Sequence, residues 1–283
     1  MLWDDHTHEN FDKSASSKLS PVWRSYVLSQ NILIKFLGRD WVVKYIHATD
    51  SKDNFLRNRA ESKQDDRRHI ERVVDLGEHV LNLNFVSGFK EKLDDLKKGH
   101  IESVMAELTC ARILLLQEHP FKFVVRSEIK RSDFDFLFKS SENMICCETK
   151  CKIESNEVAV KPIMKSLRRA NDQLPKDQPG MIMVSVPEIS EKNNSLMNIY
   201  EESIRRFYGQ NDRIISILFH SDILYFENEN LEGRLFTLKE FVNKDNKFKL
   251  TDELFGQNKY RWNLDNDRTS WIDIRKLIIK NSH

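Results

Sequence analysis

The spacing of apolar residues changes character along the chain. From Pro21 to about Lys98 it is helical, with Trp23, Val27 and Ile34 recurring at helix-like intervals. Ile70, Val73, Val74, Leu76, Val80, Leu81 and Leu83 predict a further amphipathic helix. His100–His119 gives the clearest helical signal. Ile101, Val104, Met105, Leu108 and Leu115 fall in a narrow arc, Glu107 lies at its edge beside Val104, Ala111 and Leu114, and Pro120 marks the end. The texture then turns to strands. Phe121–Val125 is a short run rich in Phe and Val. Asp133–Phe138 alternates, with Phe134, Phe136 and Phe138 on one face and Asp133, Asp135 and Leu137 on the other. Met144–Lys150 predicts a third strand, joined to the second as a hairpin through the polar turn Ser140–Asn143. Beyond it the pattern predicts a helix at Lys161–Leu174, a turn at Pro179-Gly180 and an apolar strand Met181–Val186 closed by Pro187. A helix at Leu196–Tyr208 and strands at Arg213–Phe219 and Leu224–Phe226 follow. The tail from Leu231 is mixed, with a short helix near Leu238–Val242.

Composition narrows the class. Of 283 residues, 40% are hydrophobic, enough for a core. With only 8 Gly and 6 Pro, long and mainly helical elements are expected. No apolar run approaches the roughly 18–20 residues that span a bilayer. Met1–Ser20 is polar and acidic, without a signal-peptide core. His6 and His8 stand there among Asp4, Asp5 and Glu9, where a polar tail is the simpler reading than a metal site. A membrane protein, a collagen and a secreted disulfide scaffold are thereby excluded. The net charge of +1 argues against a strongly basic coat for polyanions, so any contact with nucleic acid must come from local clusters. Arg57–Arg72 is such a stretch. It reads as a solvated helix face, with contact to a polyanion through Arg57, Arg59, Arg67 and Arg68 as the alternative. Cys146, Cys147 and Cys151 cluster without a C-x-x-C pair, and Cys110 stands apart. Reduced thiols of a cytoplasmic protein, packed as small apolar groups, are expected rather than disulfides or zinc. Trp23, Trp41, Trp262 and Trp271 read as core.

Chemistry concentrates on the predicted hairpin. Asp133 and Asp135 share one face of the second strand, and Glu148 and Lys150 share one face of the third. Carboxylates crowded among Phe, Ile and Cys are expensive unless paired, and their repulsion pushes one toward protonation. A divalent cation relieves both costs, because Mg²⁺ takes one or two carboxylates together with waters and substrate phosphate. An ordinary Glu148–Lys150 salt bridge is the plainer alternative.

The run SDFDFLFKSSENMICCETKCK resembles the PD-(D/E)xK nuclease superfamily, the restriction-endonuclease-like fold. Glu148-Thr149-Lys150 stands as the E-x-K, and Ser132-Asp133 where the family often has Pro-Asp. The resemblance covers about Ile101 to Phe219. It implies an α/β core, a mixed central sheet flanked by helices, over 99–226; it does not explain the helical N-terminal region over 1–98 or the tail over 227–283, which is read as an α/β extension of the core. It also implies Mg²⁺, with Mn²⁺ as a substitute, held by Asp133, Asp135 and Glu148 with Glu107 assisting. Either aspartate is open as the principal ligand. Lys150 would aid the nucleophile and transition state, Gln173 would stand near the site, and Lys161, Lys165, Arg168 and Arg169 would meet a phosphate backbone. The implied activity is in-line hydrolysis of DNA by a metal-activated water, leaving a 5′-phosphate and a 3′-hydroxyl, in a setting such as restriction or antiphage defence. RNA stays open as a substrate, and so does a homodimer or a partner protein bound through the N-terminal helices. The alternative from another class is a nucleic-acid-binding or protein-interaction module on the same fold with weak or lost chemistry.

Overall fold

The computed structural model describes residues 19–48, 55–56, 62–125, 134–151, 160–186, 194–227, 230–255 and 271–276. The N-terminal part is helical. Helix α1 (Pro21–Leu37) opens on a proline in its first turn, where a missing N–H costs nothing, and α2 (Arg39–Val42) runs into a π-helical turn, Val43–His47. Helix α3 (Lys63–Leu83) is one continuous element. The Ser62 hydroxyl accepts from Asp65 N at 3.1 Å, and Asp65 and Asp66 complement the first turn. Helices α4 (Phe89–Lys97) and α5 (Ile101–Leu116) follow. Helix α5 departs from the narrow arc expected of it. Cys110, Ala111, Ile113 and Leu114 are buried as well as Ile101, Val104, Met105 and Leu108, because it packs on α3, α4 and the strands Phe121–Phe123 and Asn143–Cys151.

Among the described residues the sheet has six strands whose spatial order follows the chain: β1 (Phe121–Phe123), β2 (Phe136–Ser140), β3 (Asn143–Cys151), β4 (Gly180–Ser185), β5 (Ile214–Glu227) and β6 (Asn230–Val242). The first three are antiparallel neighbours, β3, β4 and β5 run parallel, and β6 returns antiparallel. The parallel steps need crossovers, and helices α6 (Val160–Gln173) and α7 (Asn194–Tyr208) lie in them. The molecule is thus α/β, with a mixed open sheet, helices on both faces and an N-terminal helical region. Among the described residues no helix is long and apolar enough to cross a membrane.

Each sheet face has its own core. Phe123, Phe136, Phe138, Ile145 and Cys147 pack with α1–α5, while Cys146, Ile182, Val184, Ile217 and Phe219 pack with α6 and α7. Cys146 and Cys147 therefore face opposite layers, and all four cysteines are free thiols. Each Phe so buried contributes roughly 1.5–3 kcal/mol, which explains why the alternating segment forms a strand.

Several expectations need correction. The second strand starts at Phe136, and Phe134 packs in the layer opposite Phe136 and Phe138. Gly180 opens β4 instead of completing a turn, with its carbonyl neighbourhood paired to Cys146 and Ile214. Arg213–Phe219 and Leu224–Phe226 belong to one strand, since β6 pairs along its whole length from Ser216 to Glu227. Leu238–Val242 is the end of β6, not a helix. Phe236 and Leu238 enter one core while Phe241 packs on the other, and this alternation against β5 overrides local propensity. Trp41 and Trp271 are buried as expected, but Trp23 is 49% exposed; Trp262 lies outside the described residues.

The segment Trp271–Lys276 docks against α3. Asn82 brackets Ile272, donating to its carbonyl at 2.9 Å and accepting from its amide at 2.6 Å. Trp271 Nε1 donates to Glu78, and Arg275 bonds Glu71, Asp75 and Glu78. Arg234 of β6 joins Asp75 to Asp222, and Arg112 of α5 pairs with Glu78. Burial, with repulsion from Asp273 and Asp75, pushes Glu78 up against the opposing Arg112 and Arg275, and Arg234 and Arg275 overcome burial to hold Asp75 well below the usual carboxylate range.

Candidate active site

The hairpin brings the predicted residues together. Phe136 pairs with Cys147, so the next step along each strand places Asp135 beside Glu148. Asp135 N donates to Cys147 O at 3.0 Å, and its side chain extends the ladder by accepting from Thr149 N at 2.7 Å. Where β2 has ended, a carboxylate takes over the acceptor role of the missing strand carbonyl.

Glu148 and Lys150 project from β3 toward the layer of α6. The Lys150 ammonium donates to Glu148 Oε1 and, at 2.7 Å, to Gln173 Oε1 at the end of α6. Glu148 is 2% exposed, and its Oε2 is buried with no hydrogen-bond partner among the described residues. Burial pushes its carboxyl up to about 8; repulsion from Asp135 and Glu107 adds to this, and Lys150 opposes it. Glu107 arrives from α5, buried, with Lys92 Nζ of α4 at 2.5 Å from its Oε2. The same ammonium lies 3.8 Å from Asp135 Oδ1. These residues line a cavity of about 580 Å³ together with Glu102, Ser103, Val124, Phe134 and Cys151.

Of the two aspartates left open, Asp135 stands in the cavity wall, and Asp133 lies outside the described residues. Glu107, Glu148, Lys150 and Gln173 all converge there. Lys161, Lys165, Arg168 and Arg169 do not line the cavity. They lie on the exposed side of α6, the helix that delivers Gln173, and Arg168 donates to Gln210 Oε1 at 2.9 Å. Lys92 was not anticipated. The signal was present in the sequence: it sits with Phe89, Leu93 and Leu96 at the spacing of one helix face, where an apolar residue belongs.

Among the described residues no group of three or more His, Cys, Asp or Glu stands ready to hold a metal ion. Mg²⁺ asks for less, one or two carboxylates with water and substrate completing the shell. Asp135 and Glu148 fit that demand, and the unsatisfied Glu148 Oε2 is the acceptor such an ion would use. The thiols fit it poorly, since burial pushes Cys110 and Cys147 well above the usual thiol range.

No protein-family model, curated protein or solved structure matches this chain.

Proposed function

We propose that the chain is a metal-dependent phosphodiesterase acting on DNA, with a restriction-endonuclease-like core of the PD-(D/E)xK kind. The observation that carries this reading is the convergence of Asp135, Glu148, Lys150 and Gln173 on one cavity, with a buried carboxylate oxygen left unsatisfied. A structural salt bridge would not need that oxygen dry and unpaired.

Asp135 and Glu148 would hold Mg²⁺, or Mn²⁺ in its place, with Glu107 bordering the same cavity. When bound, the ion supplies Lewis-acid charge to a scissile phosphate and lowers the pKa of a water. The chain's own groups do the rest. Thr149 N fixes the Asp135 carboxylate by taking Oδ2. An ammonium has three donors, and Lys150 spends one each on Glu148 and Gln173. The third suits a phosphate oxygen or the attacking water, where positive charge stabilises the transition state. Gln173 thereby acts through Lys150, holding its position. The exposed Lys161, Lys165, Arg168 and Arg169 offer a strip of charge to the phosphate backbone. A net charge of +1 favours a guided or regulated nuclease over one that coats DNA, and restriction or antiphage defence enters by analogy with the fold alone.

The test is cleavage of supercoiled plasmid, linear duplex, single-stranded DNA and RNA in Mg²⁺, Mn²⁺ and EDTA, beside a Glu148→Ala, Lys150→Ala double variant. Metal-dependent cleavage of DNA, absent from the double variant, is the expected result. Cleavage that persists in the variant overturns the site. No cleavage by the wild type, together with no heat of Mn²⁺ binding, favours the binding-module reading.

A further inference from the structure

Helix α4 lies outside the segment that carries the resemblance, yet it delivers a charge to the centre of the site. Lys92 is 3% exposed and shares its face of the helix with Phe89 and Leu96, both buried. A buried ammonium is costly unless carboxylates surround it. Among its partners are Glu107 at 2.5 Å and Asp135 at 3.8 Å, two of the acids that line the cavity. An apolar side chain with Glu107 replaced would pack the same space without that cost.

The placement of Lys92 is fixed by the sheet. Gly88 precedes α4 at φ +83, and a Cβ there would stand 2.4 Å from Phe123 O. Phe123 N donates to Ser87 O at 2.9 Å, and the Phe89 ring lies 5.9 Å from that of Phe123. The helix start is therefore locked onto β1, and Lys92 enters one turn later. A divalent ion on Glu107 Oε2 would sit about 2 Å from that oxygen, the oxygen the ammonium already meets at 2.5 Å. The two cations compete for that oxygen.

Resting on the phosphodiesterase reading above, we propose that Lys92 is a positioning residue whose ammonium takes the place of a second divalent ion between Glu107 and Asp135, so that the site holds one divalent cation per chain. The N-terminal helices are then part of the site, since they supply a fixed charge that aligns both carboxylates.

Calorimetric titration with Mn²⁺ alone tests this, with thermal melting in Mn²⁺ and in EDTA. The wild type is expected to bind one ion per chain. Lys92→Met is expected to bind two and to gain more melting temperature from Mn²⁺ than the wild type does. Lys92→Met with Glu107→Gln is expected to return to one. Two ions on the wild type, none on it, or a Lys92→Met protein with wild-type stoichiometry and an equal Mn²⁺-induced shift would each overturn the proposal. If Lys92→Met is unfolded in EDTA, recovery of native circular dichroism in Mn²⁺ supports it and failure to recover refutes it. DNA cleavage in the same samples separates the two readings. One bound ion without cleavage removes the nuclease and keeps the role of Lys92, whereas cleavage with two ions does the reverse.

Discussion

Glu148 sits in dry surroundings with one oxygen unsatisfied, and in the absence of a cation this costs stability. Glu148→Gln keeps the shape and removes the charge. It is expected to abolish cleavage and yet raise the melting temperature of the metal-free protein at pH 8, by scanning calorimetry. A lower melting temperature would show that the Glu148–Lys150 pair stabilises more than the burial costs. The same residue shapes the response to pH. His79, buried beside Trp271 with Arg112, Asp75, Arg234 and Arg275 around it, is pushed down to about 3 by burial, and His220, against Cys110 and Phe236, to about 4. Their folded values lie below the unfolded 6.5, so the stability they contribute is present above pH 6.5 and lost as pH falls toward 4. At pH 5 each costs about 2 kcal/mol. Glu148 has the opposite sign. Its folded value of about 8 exceeds the unfolded 4.5, so its contribution is lost as pH rises through 8. Metal-free Glu148→Gln should lose more stability than the wild type on acidification from pH 8 to 5, by urea denaturation, because the loss from the histidines is no longer offset by Glu148. An equal change in the two proteins would contradict the opposing sign of Glu148. At this scale the shared strand face and the E-x-K resemblance made Glu148 and Lys150 legible in sequence, and the same family resemblance pointed to Glu107 and Gln173 on the flanking helices. Lys92 carried a local signal, a lysine on the apolar face of α4, but its pairing with Glu107 and Asp135 spans elements whose contact no local pattern states.

The hairpin β2–β3 was legible because an alternating run and an apolar run flank a polar turn, where Ser141 takes φ +51. The β5–β6 pair was not. Ser221 and Asp222 break the apolar run, yet Asp222 is held across the sheet by Arg234, so the strand continues through them. Leu238–Val242 has no strand signal until its partner is known. Local sequence reports propensity, while long strands here are set by pairing. The link between Gly88 and Phe123 likewise belongs to elements rather than residues. Gly88→Ala places a Cβ against Phe123 O at a positive φ, and it should cost about 1–3 kcal/mol in denaturant unfolding. By loosening α4 and Lys92 it should also move the Mn²⁺ stoichiometry toward that of Lys92→Met. An unchanged midpoint would mean that the turn gives way freely.

For the whole molecule, two cores lie on opposite sheet faces, and the docked segment Trp271–Lys276 closes one of them with Trp271 and Ile274. Arg275 closes a buried network with Glu71, Asp75 and Glu78, whose acids face one another once it is gone. Arg275→Ala should destabilise by about 3–5 kcal/mol in urea, more than any exposed arginine of α7 such as Arg205. A loss under 1 kcal/mol would show that Arg234 and Arg112 suffice. This network was invisible in sequence, because its acids lie on α3 and its arginines on α5, β6 and the docked segment. The account as a whole turns on one chemistry at one cavity. Its most direct test is single-turnover cleavage of end-labelled duplex DNA across a Mg²⁺ titration, with wild type, Glu148→Gln and Lys150→Ala in parallel and the product ends mapped. The account predicts Mg²⁺-dependent cleavage to 5′-phosphate and 3′-hydroxyl ends, falling by about 10²-fold or more in both variants while each stays folded. Equal rates in the variants, or cleavage that continues in EDTA, would contradict it.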